Sequence, residues 1–137
     1  KINFIFAGNG PLEDEVLKIK NIKNVGFVSG QELEMLIRKA MFSICPSECY
    51  ENCPFSVMES QIFGTPVIGA NIGGVPELIL VNKTGELFES KNENDLKAKI
   101  ENFYNDKEKL VEYTKNCENV EFETMKSYVE KLMLIYK

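Results

Sequence analysis

The sequence predicts an α/β domain in which a parallel sheet is flanked by helices. Three observations lead there. Short apolar runs alternate with helical segments along most of the chain, the order that builds βαβ units with right-handed crossovers. The first run, residues 2–7, is almost continuously apolar, as expected of a strand covered on both faces. Stretches with glycine and proline separate the runs, at Gly8-Asn9-Gly10-Pro11, Gly64-Thr65-Pro66 and Gly73-Gly74.

The elements follow in order. Residues 2–7 form the first strand, broken by Gly8-Asn9-Gly10-Pro11. Pro11 suits a first helical position, and Glu13, Asp14 and Glu15 favour the positive end of a helix. Residues 25–28 read as a second strand. Ser29-Gly30-Gln31-Glu32 then has capping-box spacing and opens a helix with Leu33, Leu36, Ile37 and Ala40 on one face. Residues 41–45 are a third strand, followed by a loop and a helix over 56–63 that Gly64-Thr65-Pro66 stops. Residues 66–70 make a fourth strand, 75–80 a short helix, and 86–88 a fifth strand after the Thr84-Gly85 turn. The remainder is helical. Leu96, Ile100 and Phe103 form one stripe, Leu110 and Tyr113 another, and Phe122, Met125, Val129, Leu132 and Tyr136 a third, all expected in the core.

In a parallel sheet, ligands bind where the carboxyl ends of strands lead into helix amino termini. Four loops are therefore expected along one edge: residues 8–11, 29–30, 46–55 and 71–75.

Composition narrows the chemistry. The 137 residues fit one domain, with 44% hydrophobic and 27% charged residues. Net charge is −5, Arg38 is the single arginine, and no basic patch supports nucleic-acid binding. The chain has no histidine, so it holds neither a Ser-His-Asp nor a Cys-His nucleophilic site. Acid–base chemistry falls to carboxylates or to substrate groups. Cys45, Cys49 and Cys53 recur at every fourth position, which is not the spacing of a zinc ribbon, and no metal is expected. With Cys117 they read as free thiols of a reducing cytosol, Cys45 packing as a small hydrophobe at a strand end. No signal peptide or membrane-length apolar run is visible, so the expected location is cytoplasmic. The abrupt start in a strand reads as a boundary within a longer polypeptide.

The informative stretch is residues 45–64. Glu51 lies in the loop before a helix and Glu59 about one turn inside it, with Pro54 between them. Unpaired N–H groups of Phe55, Ser56 and Val57, together with the helix dipole, suit an anion such as phosphate. A carboxylate on each flank suits a ligand with hydroxyls on both sides, because hydrogen bonds to a charged acceptor are worth about 1.5–3 kcal/mol. A sugar–diphosphate–ribose has that shape. Spacing alone also allows Glu48, Glu51 and Glu59 to be simply solvated.

The wider run is more specific. Pro46-Ser47, then Glu51 and Glu59 as E-x7-E, then Gly64-Thr65-Pro66-Val67-Ile68, then Gly73-Gly74-Val75-Pro76-Glu77 closely resembles the signature of the retaining glycosyltransferases that include sucrose synthase and bacterial mannosyltransferases. Ala7-Gly8-Asn9-Gly10-Pro11, Asn24-Val25-Gly26-Phe27-Val28-Ser29-Gly30 and Thr84-Gly85 extend the resemblance over essentially the whole chain. It implies a Rossmann-like domain forming the carboxy-terminal, donor half of a GT-B architecture. The activity implied is metal-independent retaining hexosyl transfer from a UDP- or GDP-sugar to a hydroxyl acceptor, in surface polysaccharide or glycolipid assembly. Glu51 would serve catalysis at the donor sugar and Glu59 would hold the ribose. Phe55 and Ser56 would meet the diphosphate, Gly8 and Gly10 would admit the donor backbone-close, Val28 would lie near the base, and Gly73 and Gly74 would line the same edge. Glu77 would cap its own helix, and Phe27 on its own reads as core.

The resemblance also implies a carbohydrate or lipid-linked acceptor held by a separate domain absent from these residues, and membrane association that is peripheral at most. The family's first strand–loop–helix unit, with its G-R…K-G stretch, has no counterpart here. A gap is therefore expected between the strands at residues 2–7 and 41–45, and the 137 residues alone are expected to be inactive and poorly stable. Two other readings fit the same residues: a non-catalytic nucleotide- or phosphate-binding module, and a truncated remnant without function.

Overall fold

In the computed structural model, which describes residues 2–136, the central strand is β4 (Val67–Ala70), buried at all four positions. Its sequence, Val-Ile-Gly-Ala, offers apolar or absent side chains to both faces, which suits a strand covered on both sides. β4 pairs in parallel with β3 (Ser43–Cys45) on one side and β5 (Gly85–Phe88) on the other, Cys45 opposite Gly69 and Ala70 opposite Phe88.

The two faces of this sheet carry separate cores. Ile68 and Ala70 pack with Phe88 against Phe103 of α5 (Glu93–Asn105) and Leu110 and Tyr113 of α6 (Lys107–Cys117). The rings of Phe42, Phe103 and Tyr113 meet edge-on, with centroids 5.4 and 5.6 Å apart. On the other face Val67 packs with Cys45, Val57 of α3 (Phe55–Ile62), Val75 of α4 (Val75–Leu78) and Ile79. Cys45 is thus a buried hydrophobe at a strand end, as expected. Side chains of Leu96, Ile100, Phe103, Leu110 and Tyr113 reach the core as their spacing predicted.

β1 (Phe4–Phe6) and β2 (Ile22–Asn24) form a second, two-stranded parallel sheet. The division into two sheets agrees with the gap expected between the first and third strands. Two expectations fail here. The second strand runs over 22–24 and not 25–28, because Gly26 adopts φ 70° and its N–H is taken by the Asn24 side chain at 3.1 Å, which turns the chain away. The first strand is not covered on both faces, since Ile5 and Phe6 are exposed. Phe27 is also exposed, against its reading as core, while the neighbouring Val28 is buried.

α1 (Glu13–Val16) is a single turn that opens with its three acids, two residues beyond Pro11. α2 (Gly30–Lys39) starts at the predicted place, but Ser29 makes no side-chain cap, so the capping box is not formed. A capping box does form at α7 (Met125–Ile135), between Thr124 and Ser127. No residue of α7 is buried, and Met125, Val129 and Tyr136 are exposed. The third stripe is therefore not core: periodicity shows that one side of a helix is apolar, not what covers it. Among the described residues no helix is long and apolar enough to cross a membrane.

Candidate functional site

β3 and β4 end at the same edge, and the segments that leave them meet there. The first is the 46–54 loop leading into α3; the second is the turn through Gly73 and Gly74 into α4. Gly74 N–H donates to the Glu51 carbonyl at 2.7 Å. A β-carbon on Gly74 would fall on the Asn52 carbonyl oxygen, and one on Gly73 would lie 2.7 Å from the Glu51 carbonyl oxygen and 2.8 Å from its nitrogen. Backbone thus rests directly on backbone, which only glycine permits. Gly73 also takes the left-handed conformation at φ 56°.

α3 begins at Pro54, a buried residue in extended conformation with no N–H of its own. No side chain caps the helix. The first closing bond is Val57 N–H to the Pro54 carbonyl at 3.1 Å, and among the described residues the amides of Phe55 and Ser56 have no partner. Both residues are exposed. Two free N–H groups at the positive end of a two-turn helix are an anion site in waiting.

Glu51 lies in the loop before this helix start and Glu59 one turn inside α3, both half-buried. Neither carboxylate has an ion-pair or hydrogen-bond partner among the described residues, although most other partly buried polar groups of the domain are paired. Beneath the loop lies Cys45. Burial pushes its thiol pKa up, the Glu51 charge adds to this, and hydrogen bonds from Ser47 N–H and the Ser56 hydroxyl offset it in part.

α3 is fixed by side chains that the sequence reading passed over. Ser60 Oγ and Ser43 Oγ are 2.6 Å apart, and Ser60 Oγ donates to the Thr65 carbonyl at 3.1 Å, joining α3 to β3 and to its own stop signal. Gln61 Nε2 donates to the Leu78 carbonyl at 2.8 Å, joining α3 to α4. A run of polar residues on the inward side of a helix, next to Glu59, was the available signal. Arg38 lies in α2 as expected, bonded to Glu34 at 2.8 Å and lying over the Phe63 ring.

Of the nine predicted site residues, Glu51 lies in the 46–54 loop, Phe55, Ser56 and Glu59 in the α3 that follows it, and Gly73 and Gly74 rest against Glu51 and Asn52 of that loop. Gly8, Gly10 and Val28 lie at the ends of the other sheet. There Gly8, at φ 147°, donates its N–H to the Gly26 carbonyl at 2.7 Å, joining the two loops. A β-carbon on Gly8 or Gly10 would meet nothing within 4 Å, so open space lies beside both. Glu77 is exposed in the first turn of α4.

A parallel sheet with helices on both faces defines an open α/β domain, and the carboxyl edge of such a sheet is where these domains hold ligands. Residues 1–120 match the model of the glycosyl transferases group 1 family, and the chain belongs to that family. An uncharacterized glycosyltransferase of Methanocaldococcus jannaschii is 33% identical over 112 residues, covering 77% of this chain and 32% of that protein. The sulfoquinovosyl transferase of Arabidopsis thaliana is 29% identical over 109 residues, 75% of this chain and 21% of its own length. Among solved structures, Anabaena HepE in complex with UDP superposes with a TM-score of 0.82 at 18% identity, over 98% of this chain and 41% of HepE. The chain thus spans about a third of the length of the first of these relatives, and its fold is a portion of the GT-B glycosyltransferase fold.

Proposed function

We propose that this chain is the donor-binding half of a retaining hexosyltransferase that moves a sugar from a UDP- or GDP-sugar to a hydroxyl acceptor. The observation that carries the reading is the uncapped start of α3, with Glu51 in the loop before it and Glu59 one turn inside, neither carboxylate paired among the described residues. The amides of Phe55 and Ser56 receive the diphosphate, Glu59 the ribose diol, and Glu51 the hydroxyls of the transferred sugar. Gly8, Gly10 and Val28 take the part of the donor nearer the base.

UDP is favoured as the nucleotide by the similarity to HepE, which has been solved with UDP and with UDP-glucose. With no histidine among these residues, bond breaking relies on stabilising the leaving diphosphate at the helix start and on positioning. The acceptor, a carbohydrate or lipid-linked hydroxyl, is held by a separate domain, and no metal takes part. Assembly of surface polysaccharide or glycolipid at the cytoplasmic side of a membrane is the setting.

The test is titration of UDP and of GDP into the folded chain, with Glu59→Ala as control. One nucleotide should bind, and Glu59→Ala should weaken it about tenfold or more, roughly 1.4 kcal/mol. Equal binding by Glu59→Ala would remove the ribose role. A non-catalytic module differs in tolerating Glu51→Ala without loss of nucleotide-sugar affinity.

A further inference from the structure

Two segments far apart in sequence share one backbone contact at the site edge. The Gly73–Gly74 turn carries the 50–52 segment on its surface: Gly74 N–H holds the Glu51 carbonyl, and neither glycine has room for a β-carbon beneath Glu51 and Asn52. Gly74 is buried, and its N–H is already engaged, so that amide has no proton left to offer a ligand. Among the described residues the Glu51 side chain has no hydrogen-bond or ion-pair partner, and its own N–H bonds only locally, to the Cys49 carbonyl at 2.9 Å. α3, by contrast, has anchors outside that turn: Ser60 Oγ lies 2.6 Å from Ser43 Oγ of β3 and donates to the Thr65 carbonyl, and Val57 is buried against Cys45 and Val67.

The geometry points to Gly73 and Gly74 as positioning residues that set the height and direction of Glu51, and so govern recognition of the sugar but not of the nucleotide. This deepens the donor-site reading above and rests on it. Displacing the 50–52 segment moves the carboxylate that faces the sugar, while the Phe55 and Ser56 amides stay where α3 holds them. A displacement of an ångström at a reacting group is enough to cost most of its contribution.

The experiment compares the chain with Gly74→Ala and with Gly73→Asn, a milder change because asparagine tolerates a left-handed backbone and so isolates the contact from the strain. Each is measured for affinity to UDP and to UDP-glucose (GDP and GDP-mannose if GDP is the nucleotide bound), alone and combined with Glu51→Ala. The amide resonances of Glu51 and Asn52 are followed without ligand. The expected result is displaced Glu51 and Asn52 resonances, nucleotide affinity within roughly twofold, and nucleotide-sugar affinity reduced about tenfold. In the Glu51→Ala background the glycine substitutions should have no further effect, because they act through that carboxylate. Unmoved Glu51 and Asn52 resonances overturn the positioning role whatever binds. Equal losses with and without Glu51 overturn it too, showing a general structural effect. Absence of any nucleotide or nucleotide-sugar binding by the folded parent chain instead removes the donor-site reading, and the sugar-recognition role with it.

Discussion

Tyr113 Oη donates to the buried Glu86 Oε1 at 2.9 Å, fastening α6 to β5. Lys109 completes the set at 2.7 Å and Lys99 approaches at 3.4 Å. Burial alone raises the carboxyl pKa of Glu86, but the hydrogen bonds from Lys109 and Tyr113 and the two lysine charges outweigh it and leave the pKa lowered. A charge buried on a strand is tolerated only because every partner is in place.

Tyr113→Phe keeps the ring in the core and removes this one bond. Because the acceptor is charged and buried, the change should cost about 1.5–3 kcal/mol of stability. Urea unfolding with an unchanged slope would show it as a lower midpoint.

Stability should fall as pH rises from about 9 toward 12. Burial first, then Glu86, lifts the Tyr113 pKa from 10.0 to about 12, and burial followed by Glu118 lifts the Cys117 thiol from 9.0 to about 12. Between the ordinary and the lifted values the native state keeps protons that the unfolded chain has released, so rising pH favours unfolding. Tyr113→Phe should flatten the part of this fall above pH 10, and urea midpoints across the range check it. On the acid side Glu86 works in the opposite sense: its contribution is present above the ordinary carboxylate value of 4.5 and is lost as pH drops through its lowered pKa.

Amide exchange should separate the two sheets. β4 is buried throughout, whereas Ile5 and Phe6 of β1 are exposed and, among the described residues, the β1–β2 pair has no third strand. Hydrogen exchange should therefore be fastest for β1 and β2 and slowest for Ile68 and Gly69, because local opening follows the amount of packing. Equal protection in both sheets would show that the smaller one is supported by more than its own pairing.

Much of this was legible in the sequence, for identifiable reasons. β4 was readable because all its residues are apolar or glycine, and α3 because Pro54 and Gly64 mark its two ends. β2 was misplaced because Val25-Gly26-Phe27-Val28 has strand composition, while the left-handed turn at Gly26 depends on the Asn24 side chain. The stripe on α7 looked like core because spacing cannot name a partner. At the site, the carboxylates and the helix start were visible as a local pattern. The seating of Glu51 on Gly73 and Gly74 was not, since it joins backbone atoms more than twenty residues apart.

Amide shift mapping locates the proposed nucleotide diphosphate on the start of α3 or away from it. UDP, then GDP, is titrated into the isotopically labelled, folded chain. For one of the two nucleotides, saturable shifts are expected, centred on the Phe55 and Ser56 amides with smaller ones at Glu51 and Glu59. Shifts that leave Phe55 and Ser56 unmoved, or no shifts at all at millimolar nucleotide, would contradict it.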